Sequence, residues 1–270
     1  MLDILLVAEL ATLGIVAGFL AGLLGIGGGM IMVPFITAML GHRGVPADLA
    51  VKMAIATSMA TIVFTSASSV RAHHRRGAVR WDIFRHLAPG IVLGSLVASA
   101  GVFALLKGRP LAIFFGLFVG FSATRMLLAS AATPDRRMPG MAGLWAAGGG
   151  IGFLSGLVGA GGGFISVPFM TRRNVPIHAA VATSAALGFP IALANVVGYV
   201  ASGLQVDGLP PASVGYVWLP ALAVIAVFSM LLAPLGARAA HALPVAKLKR
   251  IFGCLLYLLA AYMLWKGITG

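Results

Sequence analysis

Gly25, Gly27, Gly28 and Gly29 stand in the string GLLGIGGGMIMVP at 22–34, and Gly159, Gly161, Gly162 and Gly163 stand in GLVGAGGGFISVP at 156–168. Glycine has no side-chain chemistry, so whatever these residues do is done by their backbone. Two readings are open. Either the glycines only make a tight turn between short helices, using their access to positive φ, or the turn leaves N–H groups unpaired at the start of the next helix. There the dipole is positive, and an anion can be held without a charged side chain. Pro34 and Pro168, a few residues on, would limit the following helix or kink it. Neither string is a nucleotide-binding loop, because no Lys followed by Ser or Thr comes after the glycines.

Hydroxyls form a second matched set. Thr57 and Ser58, within Ala-Thr-Ser, correspond to Thr183 and Ser184 in the same tripeptide further on. Such side chains either bond to their own helix backbone or donate to a bound anion, and both readings are open here. Asn195 is the one Asn or Gln inside the main apolar runs. It is either an interhelical hydrogen-bonding contact or a selectivity contact.

Other chemistries lack their residues. The acidic side chains are Asp3, Glu9, Asp48, Asp82, Asp135 and Asp207, and all but Glu9 fall in loops or at segment ends, which disfavours a cation substrate. Glu9 reads as interfacial. His42, His73, His74, His86, His178 and His241 lie in loops or near segment ends, solvated or interfacial, and no His pair at i, i+4 is joined by a carboxylate, so neither a metal nor a cofactor is expected. A nucleophile with a partner base is also missing, so the chain is not read as an enzyme. Cys254, the single cysteine, excludes disulfides within the chain and reads as a small core residue.

These groups must be positioned by a very apolar chain. Sixty per cent of residues are hydrophobic and nine per cent charged, and the mean hydropathy is +1.03; together they exclude a soluble domain and predict an all-α polytopic membrane protein. The net charge of +13 comes from basic residues between apolar runs, which argues against nucleic acid as a partner and for a lipid bilayer. The N-terminus lacks a basic region before its apolar residues, so it reads as a first membrane segment rather than a cleaved leader.

The chain is written twice. With a shift of 134 residues, fourteen of the twenty positions from Gly18 to Thr37 match Gly152 to Thr171. Apolar runs fall at 4–25, 30–40, 50–70, 87–106 and 110–131, and again at 141–160, 164–171, 177–202, 213–235 and 249–268, five to each half. The second run of each half is shorter than the ~20 residues a crossing needs, so each is expected to be a half-helix joined by glycines to the segment before it. Residues 1–131 and 141–270 are thus two membrane repeats, with 132–140 a cytoplasmic linker. Ahead of each glycine string, Gly14, Gly18, Gly22 and Gly148, Gly152, Gly156 form a small-residue stripe of the kind that packs membrane helices closely.

Arg71, Arg75, Arg76, Arg80 and Arg85 place the loop after the third segment in the cytoplasm. Its counterpart, 205–213, has Asp207 and no Lys or Arg. Alternation then puts Arg136, Arg137, Arg172, Arg173, Arg238, Lys247, Lys249 and Arg250 inside. Arg43, Lys52, Lys107, Arg109 and Lys266 fall outside. Equivalent loops face opposite sides, which predicts an inverted repeat with both termini outside, the architecture of many carriers. Arg75, Arg76 and Trp81 read as topology anchors or, more sharply, as a funnel that attracts anions.

The doubled glycine strings with their prolines, the paired Ala-Thr-Ser motifs, the HRRG run at 74–77 ahead of Trp81, and LGARAAHALPVAKLKRIF at 235–252 together resemble the TauE/SafE family of membrane transporters (4-toluene sulfonate uptake permeases among them) over essentially the whole chain. The resemblance implies an anion permease of the bacterial cytoplasmic membrane, moving sulfite or an organosulfur anion, with the glycine strings and Thr-Ser pairs central. A channel built on the same site, and a non-transporting receptor or assembly factor, are the rival readings.

Overall fold

The computed structural model describes residues 4–25, 27–128, 137–242 and 245–269, and the side chains of 241–251 are also outside what is described. Most of the linker at 132–140 falls outside the described residues, as do Asp135 and Arg136, and so do the side chains of His241, Lys247, Lys249 and Arg250.

The protein is an all-α polytopic membrane protein. Among the described residues, eight helices are long and apolar enough to cross a bilayer: α1 (Ile4–Leu24), α3 (Ala47–His74), α4 (Trp81–Leu105), α5 (Gly108–Leu128), α6 (Met141–Val158), α8 (Ile177–Gly203), α9 (Leu219–Ala242) and α10 (Val245–Thr269). Two are short, α2 (Gly29–His42, 14 residues) and α7 (Gly163–Thr171, 9 residues). Pro34 does not end α2, which continues to His42. A wide π-helical stretch at Val97–Val102 lies within α4.

Two helices form the centre. In α3, 83% of the apolar window is buried, and in α8, 67%, against 33–44% in the other spans, whose outward faces are left for lipid. Around this pair the halves exchange partners: α1 lies along α9, α6 along α4, and α5 along α10. The glycine stripes explain the first two contacts. A methyl on Gly18 or Gly22 would overlap the backbone at Ser229 or Ala233 of α9, and one on Gly148 or Gly152 would overlap the carbonyls of Leu87 or Ile91 of α4. The partner helices reciprocate with Gly236 against Phe19 and with Gly90 against Trp145. Backbones meeting backbones in this way leave no side chain to splay the helices apart.

Three sequence expectations are corrected. The run at 213–235 is not one helix: Ser213–Val214 (β1) and Val217–Trp218 (β2) pair antiparallel, and α9 begins only at Leu219. His73 is not in a solvated loop, because α3 runs through His74 and buries His73 to 1% exposure. Cys254 is exposed on α10 rather than packed in the core.

Candidate functional site

Both long helices before the short ones stop on a left-handed glycine. Gly25 (φ +67°) donates its N–H to Ala21 O at 2.9 Å, and Gly159 (φ +72°) to Ser155 O at 2.9 Å, the usual way a helix is ended where no side chain opposes positive φ. Each short helix restarts on another left-handed glycine, Gly28 (φ +74°) before α2 and Gly162 (φ +75°) before α7, neither with a side-chain cap. Among the described residues, the N–H groups of Gly27 and Gly28, and of Gly161, Gly162, Gly163 and Phe164, find no acceptor. Orphan donors at a helix start carry the positive end of its dipole.

The two turns touch. A methyl on Gly29 would overlap Gly159 O and lie 3.0 Å from Ala160 Cα, and one on Gly27 would lie 3.0 Å from Gly161 Cα. Beside this contact is a cavity of about 10 Å³, the space one water molecule needs. Its wall includes Gly25, Gly27 and Gly161 from the turns, Ser184 from α8, and Thr65, Ser66 and Ser69 from α3; among the described residues, no charged side chain lines it. Thr65 and Ser66 donate back to Thr61 O (3.1 Å) and Ile62 O (2.6 Å). Ser69 Oγ is buried and has no partner among the described residues.

The hydroxyls of both Thr-Ser pairs make their contacts between the halves. Ser58 Oγ donates to Gly159 O at 3.0 Å and Ser184 Oγ to Gly25 O at 2.8 Å, so each serine braces the glycine turn of the opposite half. Ser166 Oγ donates in turn to Ser184 Oγ at 2.8 Å. The threonines accept from outlying backbone instead: Arg80 N–H to Thr183 Oγ1 at 2.9 Å, and Trp218 N–H to Thr57 Oγ1 at 3.0 Å. Thus the loop before α4 and the hairpin before α9 are each docked beside a residue that holds a glycine turn.

Of the residues singled out from sequence, Gly25, Gly27, Gly161 and Ser184 line the cavity, while Gly28, Gly29, Gly159, Gly162 and Gly163 complete the turns behind it. Thr57, Ser58 and Thr183 act one layer out. Asn195 stands apart: its amide donates to Ile191 O of its own helix at 2.8 Å, and its Oδ1 packs against Gly156. Thr65, Ser66 and Ser69 were missed. Their spacing of three and four residues puts hydroxyls on the cavity face of α3, and only the pattern across Thr61, Thr65, Ser66, Ser69 and His73 hints at it.

At one mouth of the bundle, His73 reaches Gly22 O at 3.3 Å and the Arg76 guanidinium donates to Ala237 O at 3.0 Å, tying the basic end of α3 to α1 and α9. Arg80 pairs with Asp82 (2.6 Å), and Trp81 stands edge-on to Phe84 and donates to His74 at 3.2 Å.

The sequence profile described as "Sulfite exporter TauE/SafE" matches residues 10–263. A protein of Haemophilus influenzae named "Probable membrane transporter protein" is 37% identical over 256 residues, spanning 94% of this chain and 96% of its own. A similarly named protein of Methanocaldococcus jannaschii is 25% identical over 97% of this chain and 96% of its own, and YunE of Bacillus subtilis, also named a probable membrane transporter protein, is 28% identical over 72% and 78%. No solved structure matches the chain.

Proposed function

Because this chain belongs to the sulfite exporter TauE/SafE family, we propose that it is a permease for a small anion, sulfite or a related organosulfur anion, in the bacterial cytoplasmic membrane. The observation that carries this is the tip-to-tip meeting of the two glycine turns, where, among the described residues, backbone N–H groups without acceptors border a cavity that has a free hydroxyl and no charged side chain. Once the site is open, donors fixed by backbone at either helix start hold an oxyanion without having to reorient themselves. Residues 1–131 and 141–270 act as inverted repeats, with the loop of Arg71, Arg75, Arg76 and Arg80 in the cytoplasm and both termini outside.

The site alternates its exposure through the two docked segments. Release of Arg80 from Thr183 opens the cytoplasmic end, and release of the 213–218 hairpin from Thr57 opens the outer end; the adjacent serines pass the change to the glycine turns. A cavity of about 10 Å³ is too small for an oxyanion, so this is the occluded form, and binding requires one of these movements.

The direct test is binding of radiolabelled sulfite to purified protein in detergent, with sulfate, thiosulfate and sulfoacetate as competitors. Saturable binding of sulfite, or of a competitor in its place, supports the anion site. Folded protein that binds none of the four contradicts it and leaves the glycine turns as packing devices.

A further inference from the structure

Lys52 is the one lysine or arginine in the described core: it is 8% exposed, in the second turn of α3. Its ammonium has three N–H donors. One meets Ala104 O at 3.2 Å, and the rings of Tyr216 and Phe103 lie 5.2 and 5.3 Å away. No carboxylate pairs with it, since the only ion pair among the described residues joins Arg80 and Asp82. Asp48, one turn earlier, attracts the ammonium through space without an ion-pair contact, and accepts the Arg109 N–H at 2.8 Å. A buried cation in direct contact with one carbonyl and two ring faces, its carboxylate acting only from a distance, is poorly compensated, because buried charges ordinarily have an ionic or multiply hydrogen-bonded partner in contact.

Its position on α3 gives that charge a direction. Lys52, Ile55, Met59, Ile62, Ser66 and Ser69 recur at intervals of three and four and share a face. Gly159 packs on Ile55 (3.2 Å from an added methyl to Cα) and Gly27 on Ile62 (3.3 Å to Cγ2), and Ser66 and Ser69 line the cavity. The face that carries both glycine turns therefore ends at Lys52, roughly 25 Å along the helix from Ser69. What covers Lys52 is the hairpin: Tyr216 lies over the ammonium, Trp218 is bonded to Thr57, and Arg43 sits 5.9 Å from the Trp218 ring.

We propose that Lys52 is an anion contact at the hairpin end of the path, concealed in this form by Tyr216, and that it receives the oxyanion when the 213–218 hairpin lifts. The ligand class is a small oxyanion, sulfite or the head of a sulfonate, which supplies the negative partner the aromatic rings replace only weakly. The inference rests on the anion-permease reading and its orientation, which puts this end outside.

The test uses full-length protein in liposomes, with radiolabelled sulfite, sulfate, thiosulfate and sulfoacetate offered separately to the hairpin face and to the basic face. Lys52→Met should raise the KM at the hairpin face by about tenfold or more, the value of one charge-assisted contact, and Lys52→Arg should restore it to within about threefold. KM at the basic face should change by less than about twofold, because the anion enters there without passing Lys52 first. Tyr216→Leu, which leaves the lysine in place, should lower the hairpin-face KM. Folded Lys52→Met with unchanged kinetics, or an equal change at both faces, overturns the inference while leaving the permease reading intact; so does an unchanged KM in Tyr216→Leu if Lys52→Met does not fold. Wild-type protein that takes up none of the anions from either face overturns both.

Discussion

A single methyl group on Gly29 separates the contact of the two turns from every other reason for a glycine there. Gly29 does not have positive φ, so alanine meets no backbone strain at that residue. What it meets is the other turn: the methyl would sit about 1 Å or more inside ordinary contact with Gly159 O, with Ala160 Cα at 3.0 Å, and both are backbone atoms that cannot rotate away. Forcing that volume into a packed site costs about 1–3 kcal/mol. Gly41, in the last turn of the same helix, has nothing within 4 Å of an added methyl, so alanine there should be neutral or stabilise by up to about 1 kcal/mol. The two variants should thus differ by about 1–4 kcal/mol, roughly 2–16 °C in melting temperature for a chain of this size. Thermal unfolding in detergent reads the difference. Uptake in liposomes should fall at least about tenfold in Gly29→Ala, since donors displaced by an ångström no longer fit the ion, and should persist in Gly41→Ala. Equal melting and equal uptake in the two variants would refute the claim that the turns must touch.

Other changes test neighbouring parts of the account. Ser58→Ala and Ser184→Ala should each destabilise by about 1 kcal/mol in thermal melts, because each leaves a buried carbonyl of the opposite turn without its donor; melts identical to wild type would make the braces idle. Ser69→Ala should leave melting unchanged or raise it slightly, as its buried hydroxyl has no partner to lose among the described residues, while weakening anion binding about threefold to tenfold in a titration. Gly18→Leu should prevent α1 from seating on α9 and remove folded protein from size-exclusion profiles, whereas Gly150→Ala, with nothing within 4 Å, should be tolerated. Asp82→Asn should change stability by less than about 1 kcal/mol, since both partners of the Arg80 pair are half exposed.

Much of the architecture is legible in the sequence because the bilayer leaves few options. Apolar runs of helical length must be helices, and a run too short to cross, preceded by glycines, must be a broken one; α2 and α7 are both. Gly14, Gly18 and Gly22 could be read as a packing face from spacing alone, though not their partner, because only the fold brings Ser229 and Ala233 of α9 against them. The hairpin at 213–218 was hidden by its composition: Val214, Tyr216, Val217 and Trp218 are as apolar as a helix start, and a stretch this short has no period to distinguish the two. His73 was obscured by its neighbours, since Arg71, Arg75 and Arg76 suggest solvent while the helical register turns His73 inward.

The site itself was half legible. Repetition marks the glycines and Thr57, Ser58, Thr183 and Ser184, but repetition does not say whether a hydroxyl faces a ligand or a neighbouring carbonyl. Here the serines hold the turns and the threonines hold the end segments, a partition that depends on contacts between the halves. At the offset of the Ala-Thr-Ser motifs, Ser69 aligns with Asn195 and Lys52 with His178, so neither residue is repeated as such and the doubled pattern does not point to them. Asn195 stood out by rarity, and its amide is used within its own helix.

Counterflow tests the central claim most directly: liposomes holding the purified protein are loaded with unlabelled sulfite and given a trace of labelled sulfite outside. An alternating carrier should concentrate the label transiently above its equilibrium level, with saturation, with competition by sulfate, thiosulfate or sulfoacetate, and with loss of the overshoot in Gly29→Ala but not in Gly41→Ala. Label that merely equilibrates without an overshoot, or an overshoot that survives Gly29→Ala, would contradict a carrier whose two glycine turns form the anion site.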